Sequence, residues 1–287
     1  MTNWLKGKFK QYFNTKTVGF FLLICGIAAA IWGYNPGQIR EDFSANVATE
    51  LISIAITVLI IDYLNERRQN EQEMAQLIRE MGASDNGIAR RAARELRARG
   101  WIEDGSMQGT ELTGANLRKA NLFQADFHGV IMDTVNLQEA DLRSAKLNEA
   151  KLNRADMRKA LLWKANLSKA DLKGANLEGA NLVEACLVGA VLTYANLKEV
   201  DLIRAELRGC DLSMVNLWQA DLDGANLSGA SLKGANLREA NLKGADLTGA
   251  DLNGVRAYSP EQLKQAASLA GATMPDGTKF EAWPERF

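Results

Sequence analysis

Hydrophobic and polar positions follow one pattern over half the chain and a different one before it. From Gly105 to Gly254 apolar residues recur every five positions, for thirty copies without an insertion. The central position, from 107 to 252, is Leu in twenty-six copies and otherwise Met107, Phe127, Met132 or Met157. Two places earlier the residue is small, Ala in most copies and otherwise Gly105, Thr110, Val130, Val135, Val200, Cys210 or Val215. Between them stands Asn or Asp in twenty copies. Helices repeat at about 3.6 residues and strands at about 2, so a sustained period of five fits neither. It predicts a solenoid in which each pentapeptide makes one side of a coil, the large and small residues inward and the other three toward solvent. Asn and Asp suit a corner, where they bond nearby backbone groups. Alternating large and small inward residues fill a narrow cross-section without voids.

The chain before the repeats reads differently. Val18 to Tyr34 is seventeen residues without a charge. At 1.5 Å per residue that is about 26 Å, which interfacial Trp32 and Tyr34 extend toward a ~30 Å hydrocarbon core. No polar stripe marks it as a soluble helix, and Asn35-Pro36-Gly37 stops it. A second run, Val47 to Leu64, carries Glu50 and Asp62 near its ends. It reads either as a short spanning helix with both acids at the interfaces or as a soluble core helix. Its β-branched density and the hydrophobic helix before it favour spanning. The two acids are either helix-end residues reaching the headgroups or an intramembrane pair.

Charge sets the expected orientation. Lys6, Lys8, Lys10 and Lys16 precede the first span, the connector carries Arg40 against Glu41, Asp42 and Glu50, and Arg67, Arg68 and Arg79 follow the second. The positive-inside rule then places both termini and the repeats in the cytoplasm. A cleaved signal peptide ending at Ala28-Ala29-Ala30 is the rival, opposed by bulky Ile31 and Trp32 and by the second span close behind. Asn65 to Met81 continues as a charged helical stalk with Met74, Leu77, Ile78 and Met81 on one face. A further helix is expected from an N-cap at Ser84 to Gly100, with Ile88, Ala92 and Leu96 as its apolar line. Its Arg90, Arg91, Arg94, Arg97 and Arg99 allow a basic helix on anionic lipid; its narrow apolar line favours a cap on the first coil. The expected division is therefore a membrane anchor over 1–64, a helical linker and cap over 65–104, repeats over 105–254 and a C-terminal cap over 255–287.

Tandem Ala-(Asp/Asn)-Leu-X-X, as in Ala115-Asn116-Leu117 and Ala245-Asp246-Leu247, resembles the pentapeptide repeat proteins. The resemblance covers about half the chain and implies an all-β solenoid, a right-handed quadrilateral β-helix with four repeats per coil. Thirty repeats then make seven and a half coils, a rod of about 36 Å at the ~4.8 Å strand spacing. Ile131, Lys146, Lys151, Leu161, Cys186, Val191 and Glu206 depart from Asn or Asp at an outward position. After the repeats, Ser259-Pro260-Glu261-Gln262 predicts a capped short helix to Ala270, closed by Gly271, with Phe280 and Trp283 covering the last coil.

Composition narrows the chemistry. One histidine, His128, excludes a multi-histidine metal site, and Cys25, Cys186 and Cys210 lack CxxC spacing. No Walker loop, GxGxxG, HExxH or GxSxG occurs, so neither enzyme nor cofactor is expected. The best-known activity in the family is DNA mimicry toward type II topoisomerases, which needs a strongly acidic soluble rod. Residues 105–254 hold seventeen basic and nineteen acidic side chains, and nucleic acid is not an expected partner of a chain with net charge −1. Within the rod, residues 118–173 net +4 and 174–254 net −5.

Every twentieth residue shares a face. Phe123, Trp163, Val183 and Ile203 fall on one, with Leu161 beside them and Arg143 interrupting; the adjacent face carries Arg118, Arg158, Lys198 and Arg238. Outward aromatics mark a docking face for a protein partner or a second copy, unless an N-terminal helix folds back over them. The expectation is a non-enzymatic scaffold held to lipid by two helices. A topoisomerase-binding DNA mimic and an oligomeric membrane-perturbing effector are the alternatives.

Overall fold

The computed structural model describes residues 15–32 and 41–281, and side chains over 19–28 and 46–281. The chain forms two compact units, 1–73 and 74–287, so the division falls nine residues beyond the expected boundary at 64.

In the second unit, four pentapeptides make one coil. Parallel bridges join residues twenty apart, from Glu111 with Ile131 to Asn236 with Arg256. Each side of a coil contributes a single bridging residue rather than a longer strand. The backbone N–H groups of a repeat are fully accounted for, as a closed coil requires. In the repeat around Leu117, Asn116 N–H donates to Ala83 O, Leu117 N–H to Asn136 O, Lys119 N–H to Gln138 O and Ala120 N–H to Leu117 O. The fifth, on Arg118, donates to Asn116 Oδ1 at 3.4 Å. The same bond, at 2.9–3.4 Å, forms at all twenty Asn and Asp copies. The repeat's preference for Asn or Asp is thus a preference for an acceptor that satisfies the one N–H the coil leaves over. Where the acceptor is missing a neighbour substitutes: Asn153 N–H, two places after Lys151, donates to Asp133 Oδ1 at 2.9 Å.

The central and small residues are buried throughout from Leu112 to Leu252, and Met107 with them. The residue two after each centre adopts positive φ in all thirty copies, thirteen of them Gly and seventeen not. Repeated Gly in that place (Gly174, Gly179, Gly189) was visible in the sequence; the strained conformation at Lys159 or Tyr194 was not.

Both ends of the rod are covered. Helix α1 spans Thr15–Trp32, α2 Glu41–Met81 and α3 Asn86–Ala98. The expected stalk is continuous with the second apolar run in α2, whose Leu77 and Met81 lie in the rod's core cluster. Helix α3 buries Ala89, Ala92, Ala93 and Leu96 there. Its N-cap is Asp85, whose side chain accepts from Ile88 N–H, and not Ser84; Ile88 is exposed and so leaves the expected apolar line. Gly100 follows the C-cap residue Arg99 at φ 77°. Asn86 Nδ2 donates to Asn116 O and Arg118 O, and Arg97 to Asn121 O and Phe123 O, so α3 satisfies the edge of the first coil.

At the other end α4 is confined to Pro260–Lys264, shorter than the expected helix to Ala270, with the Ser259–Gln262 capping box formed. It replaces one side of a coil: Gln262 Nε2 donates to Leu237 O and Ala240 O. The coil then resumes two residues out of register, bridging Asp246 to Ser268 and Asp251 to Thr273. Ala267-Ser268-Leu269 and Ala272-Thr273-Met274 are two further degenerate repeats, with Leu269 and Ala272 buried. The two-residue shift hides them from a strict five-residue search. Phe280 packs against the core as expected; Trp283 lies outside the described residues.

In the first unit α1 and α2 run antiparallel. A Cβ on Gly19 would meet Leu59 at 2.9 Å, and one on Gly26 would meet Ile52 at 2.8 Å and Ala48 O at 3.2 Å. Ala48 and Ala55 are buried, while Phe20, Phe21, Ile24, Ile54, Ile60 and Ile61 are exposed. The hairpin buries its smallest residues and turns its largest outward. Among the described residues, one helix, over Asn46–Met81, is by length and composition apolar enough to cross a membrane, and the first run contributes Gly19–Ala28 as a shorter apolar helix. The expected pair of spanning helices is therefore not shown: one segment has the length and composition to span, and residues 33 and 34 of the expected first span lie outside the described residues.

Candidate interaction faces

The turns and bridging positions place the expected patch on one side of the rod. Trp163 and Leu161 are 39% and 40% exposed, while Phe123, Val183 and Ile203 are half-buried. Arg143 does not simply interrupt the stripe. Its guanidinium lies 5.7 Å from the Phe123 ring centroid and forms a two-point pair with Asp141, at 2.8 and 2.7 Å. That Arg143 pair, with burial opposing it, holds the Asp141 carboxyl below its usual range. Lys164 Nζ lies 4.4 Å from the Trp163 centroid and pairs with Glu184 at 3.3 Å. The aromatic rings thus carry cations beside them, each held by an acid. Helices α2 and α3 meet the core at the rod's first coil, which is not the fold-back over the stripe that the sequence allows.

The expected basic face is not a bare cationic strip. Arg118 pairs with Glu139 at 2.8 Å, Arg158 with Asp156 at 2.7 Å, Lys198 with Glu178 and Glu199 both at 3.1 Å, and Arg238 with Glu239 at 3.1 Å. Glu199 and then Glu178 raise the Lys198 pKa. Trp218, which the twenty-residue sorting of charges passed over, lies between cations of the two flanking coils, 4.9 Å from Lys198 and 5.5 Å from Arg238. Beneath it Asn176, Asn196, Asn216 and Asn236 form an amide ladder at 2.9–3.2 Å. This face is organised to hold coils together.

Elsewhere, Asp126 is buried and receives Lys146 at 3.0 Å, His128 N–H at 3.3 Å and Gln108 at 3.3 Å. Burial works to raise its pKa, but those donors prevail and the value lies below the ordinary one. Burial pushes the Cys210 thiol up to about 12, and its Sγ donates to Leu187 O, so it packs as a small apolar residue and is no nucleophile. His128 Nδ1 sits 3.1 Å from Asn148 O. Among the described residues no group of three or more His, Cys, Asp or Glu is placed to hold a metal ion.

The model of the pentapeptide repeats matches in overlapping segments from 106–138 to 220–256, with eight copies, spanning more than half the chain. The chain belongs to the pentapeptide repeat family. Its members form right-handed quadrilateral β-helices, the four-sided coil seen here. Among solved structures this pentapeptide repeat protein is similar to HetL of the cyanobacterium Nostoc, involved in heterocyst differentiation regulation, at 31% identity over 65% of this chain and 97% of HetL, TM-score 0.31. It is similar to QnrB1, a plasmid-mediated fluoroquinolone resistance protein, at 20% identity over 60% of this chain and 93% of that one, TM-score 0.33. A pentapeptide repeat protein of the Arabidopsis thaliana thylakoid lumen matches at 30% identity over 44% of this chain and 74% of its own, TM-score 0.17. No curated protein matches.

Proposed function

We propose that this pentapeptide repeat protein is a membrane-anchored, non-enzymatic interaction module whose β-helix presents a rigid docking face in the cytoplasm. The anchor rests on the inverted hairpin. Exposed Phe20, Phe21, Ile24, Ile54, Ile60 and Ile61 around a Gly19, Gly26, Ala48, Ala55 seam suit lipid, where association relies on close backbone approach rather than apolar burial. The second apolar run supplies the length to span, and α1 accompanies it as a second membrane helix. Flanking lysines and arginines favour the cytoplasmic side for both ends.

The observation that carries docking is the exposed Leu161–Trp163 pair with Val183 and Ile203 beside it on one side of the rod. The rod is near neutral as a whole and much of its charge is paired internally; only residues 174–254 net −5, which gives the DNA-mimic alternative less support than docking. The test is affinity purification of the full chain from detergent-solubilised membranes. Trp163→Ala with Ile203→Ser should remove the co-eluting partner while the protein remains in the membrane fraction. An unchanged co-elution profile sinks the docking face, and recovery of the wild-type chain in the soluble fraction sinks the anchor.

A further inference from the structure

The side of the rod opposite the expected patch in register carries a second feature. Of the seventeen lysines and arginines in the repeats, eleven form ion pairs. The six that form none among the described residues are Lys151, Arg154, Lys159, Lys173, Arg204 and Lys243. Three of these, Lys151, Arg154 and Lys173, fall on one corner in two successive coils. Arg154 and Lys173 line an open cleft of about 490 Å³, with Thr134, Asn153 and Tyr194 around it.

The cleft exists because of a ladder of turn residues. Positions 154, 174 and 194 stack at the positive-φ place of three consecutive coils. Gly174 supplies no side chain; the Arg154 chain lies over it, its Cγ 3.6 Å from where a Cβ would stand. Tyr194 closes the far side, 62% exposed, on a backbone conformation (φ 62°) that a tyrosine adopts at a cost. The carboxylate in the cleft, Asp133, is engaged through Oδ1 by Asn153 N–H at 2.9 Å and Asn153 Nδ2 at 3.0 Å.

We propose that this notch binds a carboxylate side chain on an acidic segment of a partner protein, with Arg154 and Lys173 taking the anion and Tyr194 packing against the adjoining residue. A planar guanidinium matches a carboxylate at two points, and an exposed tyrosine is the residue type that anchors protein interfaces. The openness of the cleft favours a group held by a larger partner over a free small anion, which binds in sites that enclose most of its surface. The proposal rests on the reading of the rod as a docking module but uses a different face from Trp163.

The probe is a fluorescein-labelled oligo-glutamate peptide carrying one tyrosine, titrated into the detergent-solubilised full chain and followed by anisotropy. Arg154→Glu with Lys173→Glu should weaken binding by roughly tenfold or more. Arg204→Glu with Lys243→Glu makes the same charge change away from the cleft and should leave binding within about twofold. Tyr194→Ala should weaken it at unchanged salt dependence. Equal losses in the two double variants overturn the site, since binding would then follow net charge. Displacement of the peptide by inorganic phosphate at the same concentration as by free oligo-glutamate also overturns it, in favour of a small-anion site. Trp163→Ala with Ile203→Ser should leave peptide binding intact, so failure of the patch and failure of the notch give different results.

Discussion

The hairpin and the rod are built from similar apolar stock and sort it in opposite directions. The rod turns Leu inward against Ala and leaves charged side chains outside, as water demands. The hairpin buries Gly and Ala and leaves Phe and Ile outside. The same residue type, glycine, serves two purposes accordingly. Gly26 is needed for space, because Ile52 stands where its Cβ would be; Gly129 is needed for backbone conformation, with nothing within 4 Å and φ 63°. What a glycine contributes therefore depends on whether its region needs it for space or for backbone conformation.

The largest expected effect lies in the rod's core. Leu177→Ala removes a fully buried side chain and should cost about 3 kcal/mol, whereas Ile60→Ala, half exposed in the hairpin, should cost under about 0.5 kcal/mol in detergent. Thermal unfolding by circular dichroism compares them; equal losses would mean that the hairpin is packed as a soluble core. Next, Gly26→Leu should separate α1 from α2 at a cost of roughly 2 kcal/mol, read as a widened distance between spin labels on the two helices. Gly129→Ala should cost only about 1 kcal/mol, with no displacement of its neighbours.

Asn216→Ala should follow at roughly 1–2 kcal/mol, because it strands the Trp218 N–H and cuts the ladder to Asn196 and Asn236. The acid response of the rod comes next. Asp126, Asp141, Asp156, Asp211 and Asp251 all have folded pKa values below the ordinary 3.8. Their contribution is complete above that value and is lost as pH falls through the lower folded values. The rod's melting temperature should be level from pH 7 to about pH 5 and drop below 3.8; Asp126→Asn should shrink the drop. The smallest effect is a gain: Lys159→Gly, at φ 55° and in no ion pair, should stabilise by about 0.5 kcal/mol through relief of backbone strain. A loss on equilibrium denaturation would show that side-chain contacts outweigh the strain there.

Much of the fold was legible because the repeat is local. The period named the inward positions, and Asn or Asp between them named the corner acceptor, since both depend on residues within one pentapeptide. The cap helices were legible as elements, but their contacts were not. Ile88 looked like part of the buried line of α3, yet Ala89 and Ala93 join Ala92 and Leu96 in it instead, because the buried face is turned by about one residue from the expected line. The resumed coil after α4 is hidden in the sequence because a two-residue shift breaks the period without breaking the ladder. Trp163 and Leu161 could be sorted to one face by counting in twenties, as could Arg158 and Lys198. Neutralisation of the latter by Asp156, Glu178 and Glu199 could not.

The amino-acid sequence by itself determined a solenoid of pentapeptides, the residues that fill it and the apolar segments that precede it, because each depends on short-range pattern. The tertiary structure decided which outward charges cancel, where Gly174 opens a notch between Arg154 and Tyr194, and that the hairpin closes on its smallest residues. Those outcomes depend on side chains a full coil or a whole helix apart, whose meeting is set by stacking and by steric fit.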